Sequence, residues 1–141
     1  MALKFIEQDA ATLQQAYQER KAEYEALRAA GRWSGAILHA GILLELALKV
    51  VICKHLDVSN LPTLFQVHDL ELLVYCSGLY TRLTTDKLLN ENFLLIHKRW
   101  SIALRYEGAT QTQQDADYFE QALFAPAHGV ITFLSQYFRG A

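Results

Sequence analysis

At 141 residues, 52% of them hydrophobic and 20% charged, the chain is sized for one domain with a core of its own. That composition excludes an intrinsically disordered chain and leaves no room for a second domain of ordinary size, so residues 1–141 read as one unit. A net charge of -2 exerts no overall pull on phosphate, which excludes nonspecific coating of nucleic acid and restricts any such binding to a local patch.

The N-terminus carries Lys4, Glu7 and Asp9 with no long apolar run behind a basic stretch, so no secretory leader is expected and the chain reads as cytoplasmic. Ile6, Ala10, Leu13, Tyr17, Tyr24 and Leu27 then recur at steps of four and three, with Arg20 filling one gap. This spacing predicts an amphipathic helix from about Asp9 to Ala30, stopped by Gly31. Trp33 to His55 is apolar nearly all round and predicts a helix packed on several sides at the centre of a bundle. Its richest stretch, Gly35 to Cys53, is interrupted by His39, Glu45 and Lys49, which would be costly in lipid, so no membrane association is expected. Glu45 and Lys49 stand at i and i+4 in the favourable order, and predict a helix-stabilising pair on a narrow polar strip.

Asp57 to Gln66, with Ser59, Asn60 and Pro62, reads as a loop, and Asp69 to Cys76 as a short third helix stopped by Ser77-Gly78. Thr84 or Thr85 is predicted to cap a fourth helix, in which Leu89, Phe93, Ile96, Trp100 and Ala103 repeat the four-three spacing before Gly108 ends it. Thr112 with Asp115 three residues on has the form of a capping box. It opens a fifth helix lined by Ala116, Phe119, Leu123, Ala127, Val130, Leu134 and Tyr137 and kinked at Pro126. No strand alternation or tight hairpin turn competes. The expected fold is all-α, an antiparallel bundle of four to five helices.

The five histidines, His39, His55, His68, His97 and His128, lack metal-ligand spacing, and the glycines form no phosphate loop, so neither a metal nor another cofactor is expected. Gly35 and Gly41 are read as allowing close helix packing, and Cys53 and Cys76 as buried free thiols of a reducing compartment. His68-Asp69 reads as a step into a helix with Asp69 as its cap. The densest basic patch is His97-Lys98-Arg99 with Arg105 and Tyr106. Lys98, Arg99 and Arg105 there could hold phosphate while Tyr106 stacks on a base, with Trp100 assigned to the apolar seam.

The stretches GRWSGAILHAGILLELALKVVIC, LPTLFQVHDLELLVYCSGL and KRWSIALRYEG, in this order, resemble a HEPN domain, named for higher eukaryote and prokaryote nucleotide binding. The resemblance covers most of the chain. It rests on Glu45 and Lys49 in the second helix, on His68-Asp69-Leu70 entering a short helix that ends near Gly78, and on Trp100 followed by Arg105-Tyr106. It implies a helical bundle that dimerises and works in nucleotide or RNA transactions, beside a nucleotidyltransferase or within defence and toxin-antitoxin systems. Many members are metal-independent ribonucleases with an Arg-x(4–6)-His motif near the fourth helix. There the arginine steadies the anionic transition state and the histidine exchanges the proton.

Here Arg99 and Arg105 stand where that motif belongs, but no histidine follows either at the needed offset. The one match to the spacing, Arg32 with His39, lies at the front of the second helix. We therefore expect a non-catalytic binding module, dimeric through the apolar surface left over, that takes a nucleotide, RNA or a partner protein through Lys98, Arg99, Arg105 and Tyr106. The alternative is a ribonuclease toxin with an atypical pair, Arg32 with His39 or Arg99 with His97, or with His128 supplied by a partner subunit.

Overall fold

The computed structural model describes residues 8–138. Seven α-helices follow in order: α1 (Ala10–Ala29), α2 (Trp33–His55), α3 (Leu70–Cys76), α4 (Tyr80–Thr85), α5 (Lys87–Arg99), α6 (Gln113–Phe124) and α7 (Val130–Phe138), with short 3₁₀ turns at Thr63–Phe65 and Ile102–Tyr106. Among the described residues no strand forms, and the one β-bridge joins Asp9 to Asn60. The all-α bundle expected from the spacing is the fold observed.

The first helix matches its predicted limits because both of its ends are chemically marked. Asp9 caps the start by accepting from the Thr12 backbone N–H at 3.0 Å. At the other end Gly31 takes φ +70, and the Arg32 and Gly31 N–H groups close on the Leu27 and Arg28 carbonyls at 2.9 and 3.1 Å. Leu13, Tyr17 and Tyr24 turn inward; Ile6 lies outside the described residues.

Around α2 the rest of the molecule assembles. This 23-residue helix touches α1, α3, α6, α7 and the second 3₁₀ turn, and Leu43, Leu44, Leu48 and Ile52 on it are sealed from solvent. Its length and mean hydropathy of 2.1 would suffice to cross a membrane, but 78% of that span is buried inside the bundle. Trp100 crosses α2 at Gly41, where a Cβ would lie 1.9 Å from the indole. The ring occupies the space that glycine vacates, and its N–H donates to the Leu38 carbonyl at 3.1 Å.

Three local readings are corrected. The predicted fourth helix starts later than expected and is preceded by a short helix that the spacing did not show, because Thr84 and Thr85 turn their hydroxyls back onto the Tyr80 and Thr81 carbonyls, each at 2.8 Å, and so close α4 instead of opening the next helix. Asp86 is the cap of α5, accepting from the Leu89 N–H at 3.1 Å. The helix then stops at Arg99: Trp100 is extended, and Ala103, placed on the predicted seam, is exposed in the following 3₁₀ turn. Finally, Pro126 breaks the last helix instead of kinking it. Ala125 before it is forced to an extended ψ of 136°, and the chain resumes as α7 at Val130. The Thr112–Asp115 capping box forms in full, each side chain bonding the other residue's backbone N–H.

Candidate functional site

Polar groups buried in an apolar helix are the first places to look for function, because each must offset a desolvation cost. Glu45 and Lys49 are 6% and 4% exposed, so the pair predicted on a narrow polar strip sits in the interior. Lys49 Nζ donates to Glu45 Oε2 at 3.1 Å. The other carboxylate oxygen meets His68 Nδ1 at 2.7 Å, a partner that spacing along one helix does not reveal. His68 is thereby tied from the loop onto α2, just before Asp69 caps α3 through the Leu72 N–H at 3.1 Å.

The half-exposed ring of His68 lines a cleft of about 230 Å³ together with His97, Trp100 and Ser101. His97 is bound through Nε2 to Glu71 at 3.0 Å and stacks on Phe93. Each imidazole is thus oriented by its own carboxylate. His128, in the turn between α6 and α7, lies 3.5 Å from Asp86.

The basic patch divides. Lys98 is exposed. Arg99 leans away toward α6, 3.8 Å from Asp115 and over the ring of Tyr118 at 5.6 Å. The carboxyl of Asp115 is held below the usual range by its bonds to the Thr112 backbone and hydroxyl, and further by Arg99. Arg105 lies 4.8 Å over the ring of Tyr106, which is 78% exposed.

Arg105 also lines a groove of about 430 Å³ with Arg32, Trp33, Leu104 and Glu107. The fold thus brings Arg32, from the turn before α2, to one surface with Arg105, from the turn after α5. Among the described residues neither guanidinium has a carboxylate within ion-pair distance. No side chain caps the start of α2, and the Gln111 N–H donates to Ser34 Oγ at 3.0 Å across the rim. His39 does not line this groove: its ring is held by the Gly35 carbonyl at 3.0 Å and by Glu23 at 3.1 Å. Trp33 carries no sequence signal that separates it from the other apolar residues of α2.

Among the described residues no group of three metal-ligating side chains converges. Cys53 is buried, with its thiol pushed up by desolvation and by Asp9, and Cys76 is half-buried. No family model, curated protein or solved structure matches this chain.

Proposed function

We propose that this chain is a HEPN-like, non-catalytic binding module that holds the phosphate of a nucleotide or RNA strand in the Arg32–Arg105 groove. The observation that carries the reading is the meeting of these two unpaired arginines beside Trp33. Guanidinium groups bind phosphate oxygens in pairs, and an indole offers its face to a base whatever the sequence. The uncapped start of α2 adds backbone N–H groups of the sign an anion needs. No histidine lines the groove, which supports binding without catalysis. Exposed Leu72, Tyr75 and Tyr80, the last two stacked at 4.0 Å, support assembly with a second copy or with a nucleotidyltransferase-type partner.

Trp33 reports on the groove directly. Titration with adenosine monophosphate and with a short single-stranded RNA should quench its emission, while buried Trp100 stays constant; Trp33→Phe should abolish the signal. Arg32→Ala and Arg105→Ala should each weaken binding about tenfold, in line with the loss of one charge-assisted contact. Wild-type affinity in both variants would remove the groove from consideration. Cleavage of RNA without metal, lost in His39→Ala or His97→Ala, would replace the non-catalytic reading with that of a ribonuclease.

A further inference from the structure

At the opposite end of α2 lies a second basic cavity, of about 380 Å³, walled by Lys54, His55, Gly78, Arg82 and Tyr137 over Val51 and Leu79. No carboxylate lines it, and among the described residues Lys54, His55 and Arg82 have no acidic partner within ion-pair distance. We propose that this cavity is a binding site for a small organic phosphate, a phosphomonoester or pyrophosphate, separate from the groove of the proposed function.

Part of this basic character has a simpler cause. Lys54 and His55 occupy the last turn of α2, where cations answer the negative end of the helix dipole. Arg82 does not share that cause. It comes from α4 and is brought to the same cavity by the α3–α4 turn. There it is held in place: its Nη1 donates to the Tyr137 hydroxyl of α7 at 2.9 Å, and its guanidinium lies over the Tyr137 ring at 5.9 Å. One nitrogen is thus committed to positioning, and the rest of the fork is left for a ligand. A side chain fixed in advance loses less entropy on binding than a free surface arginine.

The opposite wall is equally prepared. Gly78 sits at φ +79 with the His55 ring against it, so close that a Cβ there would stand 2.6 Å from the imidazole. The bare turn lets the ring lie flat on that side. Ser77 beneath is buried and already satisfied, donating to the Val74 carbonyl at 2.6 Å and accepting from the Leu79 N–H at 3.2 Å, so it makes no competing demand. The cavity has the space of about a dozen waters, more than a bare phosphate fills, with an apolar floor for the organic part. A 23-residue helix is about 35 Å long, so the two basic sites are separable by mutation.

The test uses the full chain at constant ionic strength, with calorimetric and thermal-shift titrations of pyrophosphate, of a sugar phosphate and, as the ionic control, of sodium chloride. Both phosphates should raise the melting temperature where chloride does not. Arg82→Gln and Lys54→Gln should each weaken binding at least tenfold, and Tyr137→Phe, which frees Arg82 without removing charge, about threefold. The losses in Arg82→Gln and Lys54→Gln should persist in an Arg32→Ala background, which separates this site from the groove whatever becomes of the groove itself. Stabilisation no greater than with chloride, wild-type affinity in Lys54→Gln, or phosphate binding that vanishes altogether in Arg32→Ala would each overturn the assignment. Lys54 is exposed, so its variant remains informative if Arg82→Gln disturbs folding.

Discussion

Glu45, sealed in the middle of α2, reaches His68 across the intervening loop at 2.7 Å while its second oxygen holds Lys49 at 3.1 Å. The carboxylate is therefore the joint between the central helix and the step into α3. Lys49→Met leaves a buried carboxylate with a half-exposed imidazole as its only partner, and should cost about 3–5 kcal/mol in urea denaturation. Replacing both members, Glu45→Leu with Lys49→Met, should recover most of that loss. His68→Ala alone should cost about 1 kcal/mol, because Lys49 still satisfies the acid. A double variant no more stable than Lys49→Met would show that the pair is not acting as a buried unit.

Gly41 and Trp100 share one volume. Gly41→Ala must push the indole aside, break its bond to the Leu38 carbonyl and cost about 1–3 kcal/mol by overpacking. Emission from Trp100 should move to longer wavelength as the ring gains water. In a Trp100→Leu background the same glycine substitution should cost much less, giving a clear coupling energy in a double-mutant cycle. Simple additivity would contradict the packing.

Two phenols make stability depend on alkaline pH. Tyr17 is pushed up to about 12, first by burial and then by Glu25; Tyr24 is raised by burial and by its bond to Glu120. In the unfolded chain a tyrosine ionises near 10, so above that pH the unfolded state loses protons that the folded state keeps. The stabilisation is complete below pH 10 and is lost as pH rises toward about 12. For Tyr17 the loss is roughly 3 kcal/mol. Urea unfolding at pH 9, 10 and 11.5 should show the decline, and Tyr17→Phe should flatten it; an unchanged slope in that variant would assign the effect elsewhere.

The two cysteines should separate by reactivity. Cys53 is 1% exposed and its thiol is raised, whereas Cys76 on short α3 is half-buried. A disulfide reagent added to the native protein should label Cys76 first and Cys53 only as the bundle opens. Cys76→Ser should then leave the slow phase alone. Rapid labelling of that variant would show that α2 is accessible in the native state.

What the sequence made readable was local. The stripe through Leu13, Tyr17 and Tyr24, the cap Asp69 and the box at Thr112–Asp115 all act within a few residues, and their spacing suffices to find them. Asp86 was hidden behind two threonines of equal capping promise, a competition decided by hydroxyls bonding backward. Trp100 fits a helical seam by spacing, yet its ring is buried from an extended residue, because tertiary packing against Gly41 outweighs the period. The site residues were less legible still. His68 on Glu45, Arg32 beside Arg105 and Arg82 over Tyr137 are all meetings of distant segments, and periodicity carries no information about them.

The central position of α2 also governs the order of assembly. Its apolar flanks are covered by α6 and α7, which leave the ribosome only after α3, α4 and α5, so through that stretch of synthesis this long greasy segment has no cover on those sides. A nascent chain halted near Pro126 would present a hydrophobic surface fit for a chaperone, and cover on the α7 side of α2 waits on the turns from Val130 onward.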